Sequence, residues 1–198
     1  MRTGFRASLA TALVVAGLVG LMWSSARAED KPAPVVVHVG VTGLDKDSGE
    51  AVVKALKELE SVGEAKTDGK RVMVQVKSEK TLQLSDVLAA IEAQSTEAKK
   101  LEADEDGVAL AGTVAVSVAG ATDDAAVIEA LKSAPNVEKV DGSAGTFNVT
   151  FKGAKGATVG ELEAAIKAKL TVAEGAEPPS VDDVAWTAPK GDDGGKHG

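Results

Sequence analysis

The segment VVKALK at residues 52–57 recurs as VIEALK at residues 127–132, 75 positions further along the chain. The match continues without a gap, so that residues 52–91 lie over residues 127–166 with eleven identities. The identities fall at corresponding points of one apolar pattern, which is the mark of an internal repeat. The sequence therefore predicts two tandem copies of one structural unit.

Each copy starts with a strand and an amphipathic helix. Upstream of the match, VHVGVTG at residues 37–43 lies over VAVSVAG at residues 114–120 at an offset of 77. The alternating valines of both segments are typical of a strand with one buried face. Val52, Leu56 and Leu59 then follow at helical spacing. The two copies differ by two residues in the first loop, a place that tolerates insertions and deletions.

The rest of each copy adds a hairpin, a second helix and a fourth strand. The Asp68-Gly69 pair indicates a tight turn between two strands, and a second helix is expected over residues 84–91. A fourth strand is expected near residues 97–101 in the first copy and near residues 171–174 in the second. This β-α-β-β-α-β order predicts an α+β fold of two tandem ferredoxin-like sandwiches. In each, two helices cover one face of a four-stranded antiparallel sheet.

The first 28 residues have the pattern of a secretory signal peptide. Arg2 and Arg6 precede the apolar residues 9–23, and Ala26 and Ala28 occupy the small-residue positions of a cleavage site. The apolar run is shorter than the roughly 20 residues that a membrane-spanning helix needs. The sequence therefore predicts export to the periplasm or the cell exterior after cleavage, and the alternative is an uncleaved membrane anchor.

Composition and pattern set the remaining boundaries. The two copies are predicted to occupy residues 35–103 and residues 110–178, joined by a short acidic linker. Residues 179–198 are predicted to form a C-terminal tail that is partly disordered, because they end in a charged, Gly-rich stretch. Trp186 and the valines near it are expected to anchor the start of this tail on the body of the protein.

Charge and composition exclude several classes of function. The chain has 22 basic and 30 acidic residues, and the predicted cleavage removes three arginines, so the mature chain is more acidic than the formal net charge of −8. Nucleic acids and anionic membrane surfaces bind basic patches, so neither is expected as a partner. The absence of cysteine excludes disulfides, thiolate metal ligands and a cysteine nucleophile. Because no catalytic or cofactor-binding set is recognisable, we predict that the protein is not an enzyme and holds no cofactor.

Both copies resemble the heavy-metal-associated domain family over nearly their whole length. The first strand ends in Gly, as GVTG at residues 40–43 and SVAG at residues 117–120, and a loop leads to a helix with the VVKAL or VIEAL spacing. NVEKVD at residues 136–141 is similar to the family's second strand, and the hairpin, the third strand and an AAI second helix follow in order. The resemblance implies a ferredoxin-like fold in two tandem, degenerate copies of the domain.

The resemblance also implies where a metal would bind. Members of the family hold a soft metal, such as copper(I), zinc or mercury, with two cysteines of an M-x-C-x-x-C loop between the first strand and the first helix. The corresponding loops are GLDKDSGE at residues 43–50 and GATDDAA at residues 120–126, which contain no cysteine, methionine or histidine. The family's soft-metal site is therefore predicted to be lost, and no metal ligand is expected.

The acidic residues of the first loop have two interpretations. The loop offers oxygen donors suited to calcium or magnesium at Asp45, Asp47, Ser48 and Glu50. The twelfth position of a calcium loop, which should be an acidic ligand, is however Leu56. Alternatively, Asp47 as the N-cap with Glu50 three residues later fits a capping box that starts the helix. We prefer capping, because caps tolerate the differences between the two loops, whereas shared ligands would have to match.

The same interpretation extends to the second copy. Thr122 is expected to cap the first helix there, with Asp123 and Asp124 in its first turn. Thr158 with Glu161 is expected to form a capping box at the start of the second helix. Different residues would thus meet the same requirement in the two copies.

Two hypotheses about function follow. The preferred one is a binding or interaction module with an unidentified protein partner. The alternative is metal binding or metal trafficking, the role of the family, through oxygen ligands or the tail histidine; its candidate ligands are Asp45, Asp47, Glu50, Asp123, Asp124 and His197. His38 is expected on the strand face opposite the core valines, as an ordinary surface or interface residue.

Overall fold

The two repeats fold in the predicted order, with one additional short strand. A computed structural model describes residues 34–97, 99–153, 156–170 and 178–189, all within one compact unit; the predicted signal peptide lies outside these ranges. The elements of the first repeat are β1 (Val36–Thr42), α1 (Lys46–Glu58), β2 (Val62–Asp68), β3 (Arg71–Val76), β4 (Thr81–Gln83), α2 (Leu84–Glu92) and β5 (Glu102–Asp104). Those of the second are β6 (Thr113–Ala119), α3 (Asp124–Lys132), β7 (Val137–Ser143), β8 (Thr146–Phe151), α4 (Val159–Lys169) and β9 (Ser180–Thr187).

The two sheets share one topology. The first sheet, sheet A, has the order β2-β3-β1-β5, and the second, sheet B, contains the equivalent order β7-β8-β6-β9. Every pair of neighbouring strands is antiparallel. Because two helices alternate with the four strands in each repeat, this is the ferredoxin-like arrangement. The predicted fold class is confirmed for both repeats.

The core of each sandwich is built from apolar side chains at equivalent positions. Pairs of residues 75 positions apart are buried in both repeats: Val72 and Phe147, Leu56 and Leu131, Ile91 and Ile166. Full burial of one such side chain contributes roughly 1.5–3 kcal/mol relative to leaving it exposed. The duplicated apolar pattern therefore accounts for the duplicated fold.

The sequence pattern placed the fourth strand near residues 97–101, but β5 lies just after them, at Glu102–Asp104. Thr96 and Lys99 instead close a tight turn through backbone hydrogen bonds of 2.8 and 3.0 Å. Leu101, which is 2% exposed, then turns into the core. The strand can start only after this anchored residue, and it is correspondingly short.

Strand β9 lies in the segment that the sequence analysis assigned to a C-terminal tail, so that assignment is corrected for Ser180–Thr187. Val184 and Trp186 alternate with more exposed neighbours and are themselves buried, which is the pattern of a strand with one face on the core. Residues 171–174, where the fourth strand was expected, and residues 190–198 lie outside the described residues.

Strand β9 also joins the two repeats, because β4 of the first repeat pairs along its outer edge. Leu82 of β4 lies opposite Trp186, which in turn lies opposite Val114 of β6. The hydroxyl groups of Thr81 and Thr187 are 2.9 Å apart and hydrogen-bonded. Sheet B thus has five strands in the order β4-β9-β6-β8-β7, one of them supplied by the other repeat.

The same strand caps a helix of the first repeat. The N-cap residue of α2, Gln83, makes no side-chain capping bond. Instead, the carboxylate of Asp183 in β9 accepts hydrogen bonds from the backbone N–H and the hydroxyl of Ser85, at 3.1 and 2.9 Å. A backbone N–H that a helix start leaves unpaired is therefore satisfied from the other repeat.

The linker makes the reciprocal contact with the second repeat. Leu110 donates its N–H to the carbonyl oxygen of Ala157 at 2.8 Å, and Val159 donates to the carbonyl oxygen of Val108 at 3.1 Å. The residues that the linker contacts lie at the start of α4, just as β4 lies at the start of α2. The linker sequence VAL at residues 108–110 thus corresponds to VAW at residues 184–186, and in both the first and third residues are buried.

Gly156 permits the close approach of the linker. A Cβ atom at this position would overlap the carbonyl oxygen of Leu110. The carbonyl oxygen of Gly156 itself accepts a hydrogen bond of 3.0 Å from the side-chain amide of Asn136. Asn136 therefore fixes the backbone at Gly156, and the missing side chain of Gly156 lets the linker backbone at Leu110 approach it.

We expect Trp186→Ala to destabilise both repeats together. Trp186 is 2% exposed and its position in β9 lies between Leu82 of β4 and Val114 of β6. Truncation of a buried Trp costs about 3–5 kcal/mol. Guanidinium unfolding followed by circular dichroism should show one transition at a lower midpoint. Asp182→Ala, at an exposed position of the same strand, should leave the midpoint nearly unchanged. A second transition that keeps the wild-type midpoint would contradict the coupling.

Candidate binding surface

The loop between β1 and α1 is organised around the carboxylate of Asp45. Its Oδ1 accepts the backbone N–H of Ser48 at 2.9 Å, and the Ser48 hydroxyl accepts the backbone N–H of Asp45 at 3.0 Å. Asp45 has extended backbone angles, as an N-cap requires. The capping box is therefore formed by Asp45 and Ser48, and the prediction of Asp47 with Glu50 was wrong in register. Asp47 already lies in the first helical turn.

Lys99 neutralises the capping carboxylate. Its ammonium group forms an ion pair with Oδ2 of Asp45 and donates to the Ser48 hydroxyl at 3.3 Å. The ammonium group of Lys99 and the hydrogen bonds from Ser48 hold the pKa of the Asp45 carboxyl well below its usual range. Both oxygens of the Asp45 carboxylate thus already have protein partners, Ser48 on Oδ1 and Lys99 on Oδ2.

The equivalent loop of the second repeat is also occupied by helix capping. Asp123 is the N-cap of α3, and its Oδ1 accepts the N–H groups of Ala125 and Ala126 at 2.9 and 3.3 Å. The prediction that Thr122 is the cap was therefore wrong by one residue. Asp124, in the first turn, accepts the backbone N–H of Ala144 at 2.9 Å.

The predicted capping box of α4 is confirmed. Glu161 donates its backbone N–H to the Thr158 hydroxyl at 3.2 Å, and its carboxylate accepts the N–H of Thr158 at 2.8 Å. The order Thr-x-x-Glu fixes this box without ambiguity. The first loop, by contrast, contains two overlapping patterns, Asp45 with Ser48 and Asp47 with Glu50. Only the backbone conformation, which is extended at Asp45, shows which of the two forms the capping box.

The candidate metal ligands fall into separate places. Asp45, Asp47 and Glu50 lie at the start of α1, whereas Asp123 and Asp124 lie at the start of α3 in the other repeat. His197 lies outside the described residues. Within the ranges that the structure describes, no three His, Asp or Glu side chains are grouped closely enough to hold a metal ion.

The face of sheet A that points away from its helices carries a depression of about 360 Å³. His38 lies on this face, as predicted, while Val37 and Val39 beside it are buried. The depression is lined by residues of β1, β3, β5 and the linker: His38, Gly40, Arg71, Asp104, Gly107 and Ala109. It is therefore formed partly by the segment that connects the repeats.

A second, smaller groove of about 70 Å³ lies on the same face. Its lining includes Val36 and Met73, flanked by Glu64, Lys66 and Gln75. Val36 is 39% exposed and is an exposed large apolar side chain of the described residues. This face of sheet A therefore combines apolar side chains with charges of both signs.

The corresponding face of sheet B has a different character. A row of threonines crosses it, in which Thr81 bonds Thr187 at 2.9 Å and Thr113 bonds Thr150 at 3.1 Å through their hydroxyl groups. Ala115, in the next row of β6, adds only a methyl group. These threonine hydroxyl groups therefore bond to one another in pairs.

The comparisons with known proteins assign no family. No protein-family model matches the chain, and no curated protein matches it. Among solved structures, the chain is similar to the water-soluble region of the P-type ATPase CopA from Bacillus subtilis, with 15% identity, 76% of this chain covered and 92% of that chain covered. The TM-score is 0.32, at which the likeness carries no argument about function. No helix in the described part of the chain is long and apolar enough to cross a membrane.

Sequence reasoning missed the depression on sheet A. Its elements come from three strands and the linker, so their proximity depends on strand pairing rather than on spacing along the chain. One signal was available: Arg71 is the only arginine after residue 27. Arginine and lysine are not interchangeable where planar, forked recognition matters, so a single arginine among lysines singles out its position.

The charge of Asp45 should stabilise the fold only above acidic pH. Its carboxyl has a lower pKa in the folded state, so the unfolded chain takes up the proton more readily as the pH falls. Asp45→Asn keeps a capping oxygen but loses the charge. We expect the wild type to unfold at a higher urea concentration than Asp45→Asn near neutral pH, and the difference to shrink below about pH 4, close to the ordinary carboxyl pKa.

Asp47→Asn is the matched control for this prediction, because it removes an exposed charge from the same helical turn without touching the cap. Its urea midpoint should show a smaller difference from the wild type. A difference between wild type and Asp45→Asn that stays constant across the whole pH range would contradict the role assigned to Lys99.

Proposed function

We propose that the chain is an exported, non-enzymatic binding module of the heavy-metal-associated type, in which the family's soft-metal site has been lost. In this proposal the protein binds a partner through the exposed face of sheet A. The observation that carries the proposal is the assignment of both metal-loop equivalents to helix capping. Asp45 caps α1 and pairs with Lys99, and Asp123 caps α3.

The character of sheet A supports the location of the binding surface. Its exposed face offers Val36 and Met73 between charged residues, and next to them the depression around Gly40. Interaction surfaces combine apolar contact with polar groups that fix the orientation of the partner. The opposite face of the sheet packs on its own helices and the core, so of the two faces of sheet A only this one is open to a partner.

The alternative function is metal binding through oxygen ligands or the tail histidine. Asp47 and Glu50 are exposed at the start of α1, and carboxylates of this kind suit calcium or magnesium. The alternative would need Asp45 to exchange its bonds with Ser48 and Lys99 for a cation. Metal binding and capping therefore compete for one carboxylate, which makes the two functions separable by experiment.

Calorimetric titration of the chain without residues 1–28 tests this choice. We expect Cu(I), Zn(II) and Ca(II) to show no site-specific binding tighter than micromolar, because the constrained carboxylates are already paired. The double variant Asp45→Ala with Asp47→Ala should leave the titrations unchanged. Tight binding that this variant abolishes, and that the control pair Glu138→Ala with Asp141→Ala on β7 leaves intact, would establish the alternative.

Site-specific photo-crosslinking in the exported fraction tests the binding surface. We expect a photoreactive amino acid in place of Met73 to give one discrete protein adduct. The same residue in place of Lys54, on the solvent side of α1, or in place of Asn148, on the exposed face of sheet B, should give none. Equal adducts at all three positions, or an adduct only at position 148, would overturn the assignment to sheet A.

A further inference from the structure

The only arginine after residue 27 and the only histidine of the described residues line the same depression. Arg71 lies on β3 and His38 on β1, with Asp104 of β5 on the far side. Apart from these two and His197, the basic side chains after residue 28 are all lysines. Two residue types that are rare after residue 28 are thus brought together by strand pairing, on a face that is not part of the core.

Strand register places opposite charges on either side of a glycine. Gly40 lies opposite Arg71 in the pairing of β1 with β3 and opposite Asp104 in the pairing of β1 with β5. Neighbouring strands are about 4.8 Å apart, so the backbones of the two charged residues are separated by roughly 10 Å across the glycine. Among the described residues, Arg71 and Asp104 are not joined by an ion pair.

Two glycines hold the Asp104 carboxylate in place. Its Oδ1 accepts the backbone N–H of Gly107 at 3.1 Å. A Cβ atom on Gly107 would overlap Oδ2, and one on Gly40 would lie 3.3 Å from the Cβ of Asp104 and 3.6 Å from Oδ2. Neither glycine has a positive φ angle, so the backbone conformation does not call for glycine there. The space they leave is occupied by the Asp104 carboxylate, which lines the depression.

We propose that this depression binds a small zwitterion that carries a carboxylate and an ammonium group. The guanidinium of Arg71 takes the carboxylate through two parallel hydrogen bonds, and Oδ2 of Asp104 takes the ammonium group. The stem of the ligand lies between these two side chains, along the backbone of Gly40, which has no side chain of its own. The proposal rests on the assignment of the exposed face of sheet A as a binding surface.

The alternatives of a lone anion or a lone cation fit less well. A lone anion would pair with Arg71, the basic wall of the depression, and leave the charge of Asp104 on the opposite wall without a counterpart. A lone cation would pair with Asp104 and leave the charge of Arg71 without one. A ligand with both charges satisfies both walls, and the volume of about 360 Å³ accommodates a molecule of amino-acid size. His38, in the wall beside Arg71, adds a polar group whose ring can contact the ligand's carboxylate.

A series of ω-amino acids measures the distance between the two charged walls. Glycine, β-alanine, 4-aminobutanoate and 6-aminohexanoate differ only in the separation of their ammonium and carboxylate groups. Titration of each into the isotope-labelled chain, followed by backbone amide NMR, should shift the Gly40 and Gly107 signals with an affinity optimum at one length. Acetate and ethylamine, each with one charge, should bind at least about tenfold more weakly than the best zwitterion.

Variants assign the binding to the two walls. Arg71→Lys keeps the charge but loses the planar fork, and Asp104→Asn keeps the oxygen that accepts from Gly107 but loses the charge. Each should weaken binding of the best zwitterion by about tenfold or more. Lys139→Gln, which removes a cation paired with Asp141 on sheet B, should leave it unchanged. Thermal unfolding of every variant checks that the fold is intact.

The outcomes separate this inference from the proposed function. Loss of binding in both wall variants but not in Lys139→Gln supports it. Absence of shifts at Gly40 and Gly107 with every zwitterion, or shifts that both wall variants retain, overturns it. If the zwitterions fail while the crosslink at position 73 forms, the protein-binding surface stands and only the small-molecule site is lost. If both fail, the exposed face of sheet A is not a binding surface.

Discussion

The exchange of strand contacts between the repeats is the constraint on which the rest of the structure depends. Strand β9 pairs with β6 of its own repeat and with β4 of the other, while the linker after β5 pairs with the residues before α4. Asp183 adds a helix cap across the same junction. Each unit is a small sandwich of aliphatic residues without cysteine, and small cores bury less surface per residue. Reciprocal pairing lets the two cores support each other, and the linker that makes it also forms one wall of the depression on sheet A.

Much of the fold could be predicted from the sequence because it rests on local periodicity. The valines of β1 and β3 and the helix positions Val52 and Leu56 repeat with the right spacing and are buried as expected. The pairing of β4 with β9 could not be predicted, since it joins segments about a hundred residues apart and depends on tertiary contacts. Strand β9 was hidden for the same reason: its apolar alternation is short, and the Gly-rich residues after it suggested a tail.

The helix caps and the depression on sheet A likewise differ in how far the sequence predicts them. The Thr158 box follows from a single unambiguous motif, whereas at Asp45 and Asp47 two overlapping patterns competed and the backbone selected the earlier one. The deciding partner, Lys99, comes from a distant turn and leaves no mark in the loop sequence. Arg71 and Asp104 meet only through β1, so their relation is a property of the sheet. Helix caps made by residues close in sequence could thus be predicted, whereas contacts between residues on different strands could be found only from the structure.

The central claim is that the two repeats unfold as one cooperative unit. Native-state hydrogen exchange at increasing denaturant concentration tests it most directly, because it reports the opening free energy of each amide. Val39 in β1 and Val116 in β6 lie in the central strands of the two sheets and are fully buried. The account predicts that both amides reach the same global opening free energy. Two distinct limiting free energies, one for each sheet, would contradict it.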